Sequence, residues 1–370
     1  MIPIESPTNP FQTVISPLAL SATHGTSNSA SHSALLHAVY ALAEASRANL
    51  QQVAQTRRII GARHQQLSLQ YLSRSISGND QHYPEVVLAA ITILVLAGII
   101  NGDSTDWRIH LRGAFSWINS VEKSVWRRNR NASTIYQIFL GVEALRPAHI
   151  SLALELEPRE LFLYEVANES SEDWSWEESD YCLDSVFCIP RDILETIIRI
   201  NRWIYIDSEV PAAELGSLET LIIRNNPDAM GVSLLTNVTE KLMWHHKCLW
   251  HAATHIYFKR MLQKLPLSSV QYLVQQSAEQ LDAITFLELG QNVSGILWPA
   301  FISGCEADEI SSRNSINLYF DKRETLGIGN VKDARSVVRE VWRRRDEANG
   351  ATDISWHEVM WDLGINISIS

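Results

Sequence analysis

Fifteen consecutive residues from Val86 to Ile100, VVLAAITILVLAGII, carry no charged side chain. The run falls short of the ~18–20 residues that span a bilayer. It opens after Pro84-Glu85, a sound helix start, and closes at Asn101-Gly102-Asp103, a sound helix stop. Those signals predict a buried central helix over 84–100, not a membrane segment.

A chain of 370 residues, 46% hydrophobic, can bury a large core as one or two domains. Charged residues make up 20%, so wholesale disorder is not expected. Lys and Arg number 31 against 42 acidic residues, a net charge of -11. A surface built for phosphate contacts needs the opposite balance. The cysteines, Cys182, Cys188, Cys248 and Cys305, form no CxxC pair and make a poor disulfide framework, which points to a reducing compartment. Met1-Ile2-Pro3-Ile4-Glu5 has no signal-peptide character, so the sequons at Asn131, Asn168, Asn237, Asn292 and Asn366 read as chance.

Helical periodicity dominates the chain. Residues 1–31, rich in Ser, Thr and Pro, are expected to be an extended or mobile N-terminal segment, with a helical domain over 32–370. Leu35, Leu36, Val39, Leu42 and Ala43 form one stripe. A second helix is predicted over 51–74, with Ile59, Leu67, Leu69, Tyr71 and Leu72 apolar. Asp106 is placed as the cap of a helix carrying Trp107, His110, Leu111, Ala114, Trp117, Ile118 and Val121. Short connections argue for antiparallel helix pairs. Residues 168–180, NESSEDWSWEESD, hold six carboxylates, Trp174 and Trp176, and no base; they read as an acidic loop with the makeup of some activation segments. After Pro190, Ile193, Leu194, Ile197, Ile198 and Trp203 line another helix. Further helices fit 235–265, 268–289, 299–307, 310–323, 331–348 and 356–363. No alternating strand pattern and no βαβ rhythm appear, so the fold class is all-α, a multi-helix array.

Motifs for chemistry are few. Cys248, His251 and His255 share a helical face within Trp244-His245-His246-Lys247-Cys248 and the turns after it, but Ala252 stands where a zincin requires its glutamate. The set reads as a partly buried amphipathic helix, and no metal, cofactor, catalytic or DNA-binding residue is assigned. Thr325-Leu326-Gly327-Ile328-Gly329-Asn330 lacks the strand and third glycine of a phosphate loop and reads as a turn capping the next helix at Asn330. Glu177-Glu178 lie in the acidic loop, away from any predicted pocket. Two basic turns, Val125-Trp126-Arg127-Arg128-Asn129-Arg130 and Val341-Trp342-Arg343-Arg344-Arg345-Asp346, place Trp toward a core and arginines near helix C-termini.

Several segments then converge on one family. Asn9-Pro10-Phe11, Ser16-Pro17-Leu18-Ala19 and the 34–43 stretch ALLHAVYALA resemble the opening of the fungal-specific transcription factor domain found C-terminal to Zn(II)2Cys6 clusters. Trp107-Arg108-Ile109-His110-Leu111-Arg112-Gly113-Ala114 is similar to its W-x-x-H-L-x-G-A signature. Leu249-Trp250-His251-Ala252-Ala253 with Ile256-Tyr257-Phe258-Lys259-Arg260 resembles its later W-x-A-A, I-Y-x-x-R helix. Trp298-Pro299-Ala300-Phe301-Ile302-Ser303-Gly304-Cys305-Glu306-Ala307 resembles W-P-x-F-I-x-G-C-E-A, and Val341-Trp342 with Trp356-His357-Glu358-Val359-Met360 matches the close.

The resemblance implies a regulatory or dimerisation domain of a nuclear transcriptional regulator, often one governing a metabolic pathway or gene cluster. Members usually carry six cysteines binding two zinc ions and a coiled-coil linker; these 370 residues hold neither. Direct sequence-specific DNA binding is therefore not expected of them. Protein partners or self-association, a small-molecule effector and no membrane contact are. A helical scaffold without a transcriptional role, and an enzyme on this fold, are the alternatives. Gly113 and Ala114 are expected to permit close helix approach, His110 to be a hydrogen-bonded core histidine, and Gly304-Cys305 to serve tight packing.

Overall fold

The computed structural model describes residues 9–23, 29–50, 54–78, 83–102, 106–127, 129–145, 181–206, 208–227, 235–288, 296–348 and 353–365. Among them the fold is all-α, with no strand. In chain order the helices are α1 (Ser16–Leu20), α2 (Ala30–Leu50), α3 (Ala54–Ser77), α4 (Pro84–Asn101), α5 (Asp106–Ser120), α6 (Arg130–Ala144), α7 (Leu183–Phe187) and α8 (Arg191–Ile206). They continue as α9 (Ala212–Arg224), α10 (Val238–Met261), α11 (Gln271–Leu287), α12 (Trp298–Cys305), α13 (Ile310–Glu324), α14 (Gly329–Glu347) and α15 (Trp356–Asp362). The acidic stretch 168–180, with Trp174, Trp176, Glu177 and Glu178, lies outside the described residues.

Helix α4 is the central helix that the apolar run predicts. Fifteen of its 18 residues are buried, against α2, α3, α5, α6 and α14. It meets the length and composition of a bilayer span, yet its apolar surface is covered by protein. Proline occupies its first position, and Gly102 at φ +74° closes it, donating its N–H to Gly98 and Ile99 carbonyls. The end of α4 is also a point where distant segments of the chain meet. Asn49 donates to the carbonyls of Ile100 (2.6 Å) and Gly327 (3.0 Å), joining α2, α4 and the turn before α14. A Cβ on Gly329 would sit 2.6 Å from the Ile100 oxygen. The Gly327-Ile328-Gly329 turn therefore serves close backbone approach. Helix α14 starts at Gly329 with Ile328 as its N-cap, so Asn330 is not the cap the sequence suggests.

Other expectations shift in detail. Residues Phe11–Leu20, expected to be extended or mobile, form helical turns, with Val14, Ile15 and Ala19 buried. On α2 the buried stripe is Ala34, Leu35, Ala38, Ala41, Ala45 and Ala48, while Ala43 is exposed. Small residues there let α2 lie close to both α3 and α4. Ile59 and Leu69 of α3 face solvent. Gly113 has open space around it; the close approach belongs to Gly98, where a Cβ would lie 3.1 Å from that of Trp107. Ala114 is fully buried as expected. Helices α6, α7 and α9 had no sequence prediction.

Candidate functional site: a cleft at three helix ends

The C-terminal turns of α8 and α10 meet the residue that ends α12. Together with the start of α15 they enclose a cleft of about 930 Å³. Its walls include Trp203 and Ile204 from α8, Ser208–Val210 after it, Leu215 of α9, and the run Arg260–Leu265. Glu306, Asp353 and the segment Ser355–Glu358 complete it. The volume falls in the range of small-molecule sites.

Arg260 is the centre of the floor. Its Nε donates to Glu306 at 2.8 Å and its Nη2 to Asp353 at 2.6 Å, while Nη1 donates to the Leu265 carbonyl. All three guanidinium nitrogens are thereby engaged. Burial raises the Glu306 carboxyl above its usual range, against the pull of Arg260 and Arg345. Burial alone would lower Arg260, but the Glu306 and Asp353 charges hold it up. The pair is a charged knot whose rupture would strand one buried ion.

The C-terminal end of α12 is collared by other helices. Arg345 donates to the carbonyls of Cys305 (3.0 Å) and Ala307 (3.3 Å). Trp342 Nε1 donates to Gly304 (2.8 Å), Arg313 Nε to Ala307 (3.2 Å) and Gln271 Nε2 to Glu306 (2.9 Å). Every residue of α12 is buried. A Cβ on Gly304 would press to 3.2 Å on Val338, so tight packing there is as expected. Trp298 stacks on Trp250 and meets Tyr257 edge-on, and Phe301 meets Trp356 edge-on.

The model of the fungal specific transcription factor domain matches residues 1–370. The chain belongs to that family. It is 26% identical over 136 residues to arginine metabolism regulation protein II of Saccharomyces cerevisiae, covering 36% of this chain and 15% of that protein. It is 21% identical over 296 residues to an uncharacterized transcriptional regulatory protein of Schizosaccharomyces pombe, covering 75% of this chain and 53% of that protein. The chain thus spans about half the length of the second relative and far less of the first. No solved structure matches it significantly.

Three of the family motifs reach α12 and the cleft, while the opening segments and the W-x-x-H-L signature lie on α1, α2 and α5. Arg260 closes the I-Y-x-x-R motif, Glu306 belongs to the W-P motif, and Trp356 and His357 open the closing one. In the W-x-x-H-L signature, His110 is buried at 3.4 Å from Gln65 Nε2, the core histidine expected; three residues beyond the signature, Trp117 Nε1 donates to the Pro84 carbonyl at 3.1 Å. Sequence reasoning quoted Arg260 and Glu306 without joining them, and it overlooked Asp353. Their separations of 46 and 93 residues leave no local signal.

The His-rich face of α10 is packed rather than open. His251 Nε2 lies 2.9 Å from the Ile222 carbonyl. Burial lowers His255 to about 4 and His246 to about 3. Among the described residues no three His, Cys, Asp or Glu side chains are grouped to hold a metal. The second basic turn lies where expected, in the last turn of α14, but Arg345 serves the C-terminal end of α12. In the first turn, Trp126 is buried as expected and stacks on Tyr136. Its segment is a 3-10 turn, however, and Arg130 begins α6 after the Asn129 cap, so that arginine stands at a helix N-terminus.

Proposed function

We propose that this chain is the regulatory body of a transcriptional regulator and that it responds to a small-molecule effector held in the cleft. The observation that carries this is convergence. Arg260, Glu306 and Trp356 come from three separate family motifs and line one cavity of ligand size. An occupant there would touch α8, α10, α12 and α15 at once, so it could bias how those helices sit. The control of a metabolic pathway, residence in the nucleus, and action through protein partners or self-association belong to the same proposal. Residues 32–370 are proposed to work as one regulatory unit.

DNA contact and catalysis are not part of it. In the second basic turn Arg343 pairs with Glu340 and Glu347, Arg344 with Glu340 and Asp362, and Arg345 is buried on backbone carbonyls. Burial pushes the Cys182, Cys188 and Cys248 thiols up to about 12 and Cys305 well above its usual range, which disfavours the thiolate form. The purified chain is expected to bind duplex DNA weakly and without sequence preference in a mobility-shift titration. Specific binding at about 10 nM in physiological salt would refute that part. Ser208→Trp, which projects a large ring from the exposed rim into the cleft, is expected to abolish effector-dependent expression of target genes in cells. Unchanged regulation in that variant would sink the effector reading.

A further inference from the structure

We infer that His37 and His64 form a two-histidine site for a divalent transition-metal ion that favours ligands at right angles, of the Ni(II) and Cu(II) class. Neither residue lines the cleft, so the inference stands apart from the effector reading. Among the side-chain bridges that join α2 to α3, two pair unlike groups. Ser68 donates its hydroxyl to the Ala34 carbonyl at 2.8 Å, and Arg57 pairs with Glu44 at 3.2 Å. Between them the Nδ1 atoms of His37 and His64 face each other at 3.0 Å. Twenty-seven residues separate the two, so no local motif announces the pair.

This third bridge sets two identical bases nitrogen to nitrogen. One imidazole must carry its proton on Nδ1 while the other leaves Nδ1 bare. Among the described residues, the polar partner of each ring is the other ring. Burial, and after it the neighbouring His64, lowers the His37 pKa, which favours the neutral form that a metal binds. Aromatic rings hold the pair in place. Tyr71 stacks on His37 with centroids 5.6 Å apart, and Tyr40 lies 5.1 Å from His64. Both histidines are only partly buried and Tyr40 is exposed, which leaves a path from solvent.

The spacing matches chelation. Imidazole nitrogens sit about 2.0–2.1 Å from a bound first-row ion. Two such bonds at a right angle hold the nitrogens about 3.0 Å apart, and at the tetrahedral angle about 3.4 Å. The observed 3.0 Å fits the first, and right-angled nitrogen ligation is the preference of Ni(II) and Cu(II). An ion seated beside the Nδ1···Nδ1 line takes both lone pairs. The ring that had donated then carries its proton on Nε2, so the neutral pair gains the ion without losing a proton. Water completes the coordination and leaves the site open. With one ligand from each helix the ion clamps α2 to α3, a pairing that the unfolded chain does not offer preformed.

The test uses the full chain, free of added histidines and stripped of metal, with Ni(II) as the probe and Mg(II) as the control. Calorimetric titration is expected to show saturable Ni(II) binding that weakens at least about tenfold in His37→Gln and in His64→Gln, since losing even a residue that merely orients a ligand costs that much. Ni(II) is expected to raise the melting temperature of the unaltered protein and of neither variant, and Mg(II) to raise none. Both variants lose a bond between helices. Paramagnetic broadening of the His37 and His64 ring signals by Ni(II) in the unaltered protein therefore supplies a reading that requires no substitution. Absence of saturable Ni(II) binding, an affinity or melting shift unchanged in both variants, or broadening confined to other histidines each overturns the site.

Discussion

Helices α4 and α12 are both buried in the core, and they are held by different physics. Helix α4 is long and apolar, and the hydrogen bonds that reach it from other elements attach at its ends, from Trp117 and Asn49. Helix α12 has only eight residues, and side chains from α10, α11, α13 and α14 tie down its C-terminal end. An apolar helix can be enclosed by any well-fitting hydrocarbon surface. A short helix collared by charged donors demands particular residues, because each lost donor leaves a buried carbonyl unpaired. Three of the family motifs fall where the second kind of packing builds the cleft, and two others lie on α2 and α5, which pack on α4.

The sharpest way to break that contrast is Arg345→Met. Methionine keeps much of the length and the apolar stem but offers no donor to Cys305 and Ala307. It also removes one of the two cations that oppose burial of Glu306. A loss of about 3 kcal/mol is expected in urea denaturation. A loss below about 1 kcal/mol would mean that the collar is decoration rather than a determinant.

Next in size is a pH effect seated on α10. His246 is fully buried on α10, and neither ring nitrogen has a hydrogen-bond partner among the described residues. Burial holds its folded pKa near 3, against about 6.5 for a free imidazole. Below pH 6.5 the unfolded chain takes up a proton that the folded one refuses, so stability falls as pH drops through that window. At pH 5 the contribution lost is about 2 kcal/mol. His246→Leu is expected to flatten the acid limb of the stability profile by that amount between pH 7 and pH 5. An acid limb identical to that of the unaltered protein would show that the imidazole finds a partner and is not responsible.

The same contrast explains what could be read in the sequence. Helix α4 was legible because Pro84 and Gly102 bracket an unbroken apolar run, and the start of α15 was legible at Trp356. Helix α6 was not. Its buried face includes Ser133, Thr134, Gln137 and Glu143, which interrupt any apolar period although twelve of its 15 residues are buried. On α2 the eye follows Leu36, Val39 and Leu42, whereas the alanines make the closest packing. The cleft was illegible for a related reason. Its floor is made by Arg260, Glu306 and Asp353, charged residues whose pairing only the packing of α10, α12 and α15 brings about.

The smallest expected effect completes the comparison from the other side. Leu94 lies in the middle of α4 and is essentially inaccessible to solvent. Replacing it with Met conserves volume within the hydrophobic core, and the flexible thioether can follow the existing contour. A loss of no more than about 1.5 kcal/mol is expected, measured by the same urea denaturation as Arg345→Met. If Leu94→Met instead cost as much as the loss of Arg345, α4 would be specified by shape as stringently as α12 is by hydrogen bonds. The distinction between a generic core helix and a collared functional one would then disappear. If it costs little, the tolerance of α4 and the intolerance of the α12 collar become two measured ends of one scale. The residues that set the cleft would then be separable from those that merely fill the interior.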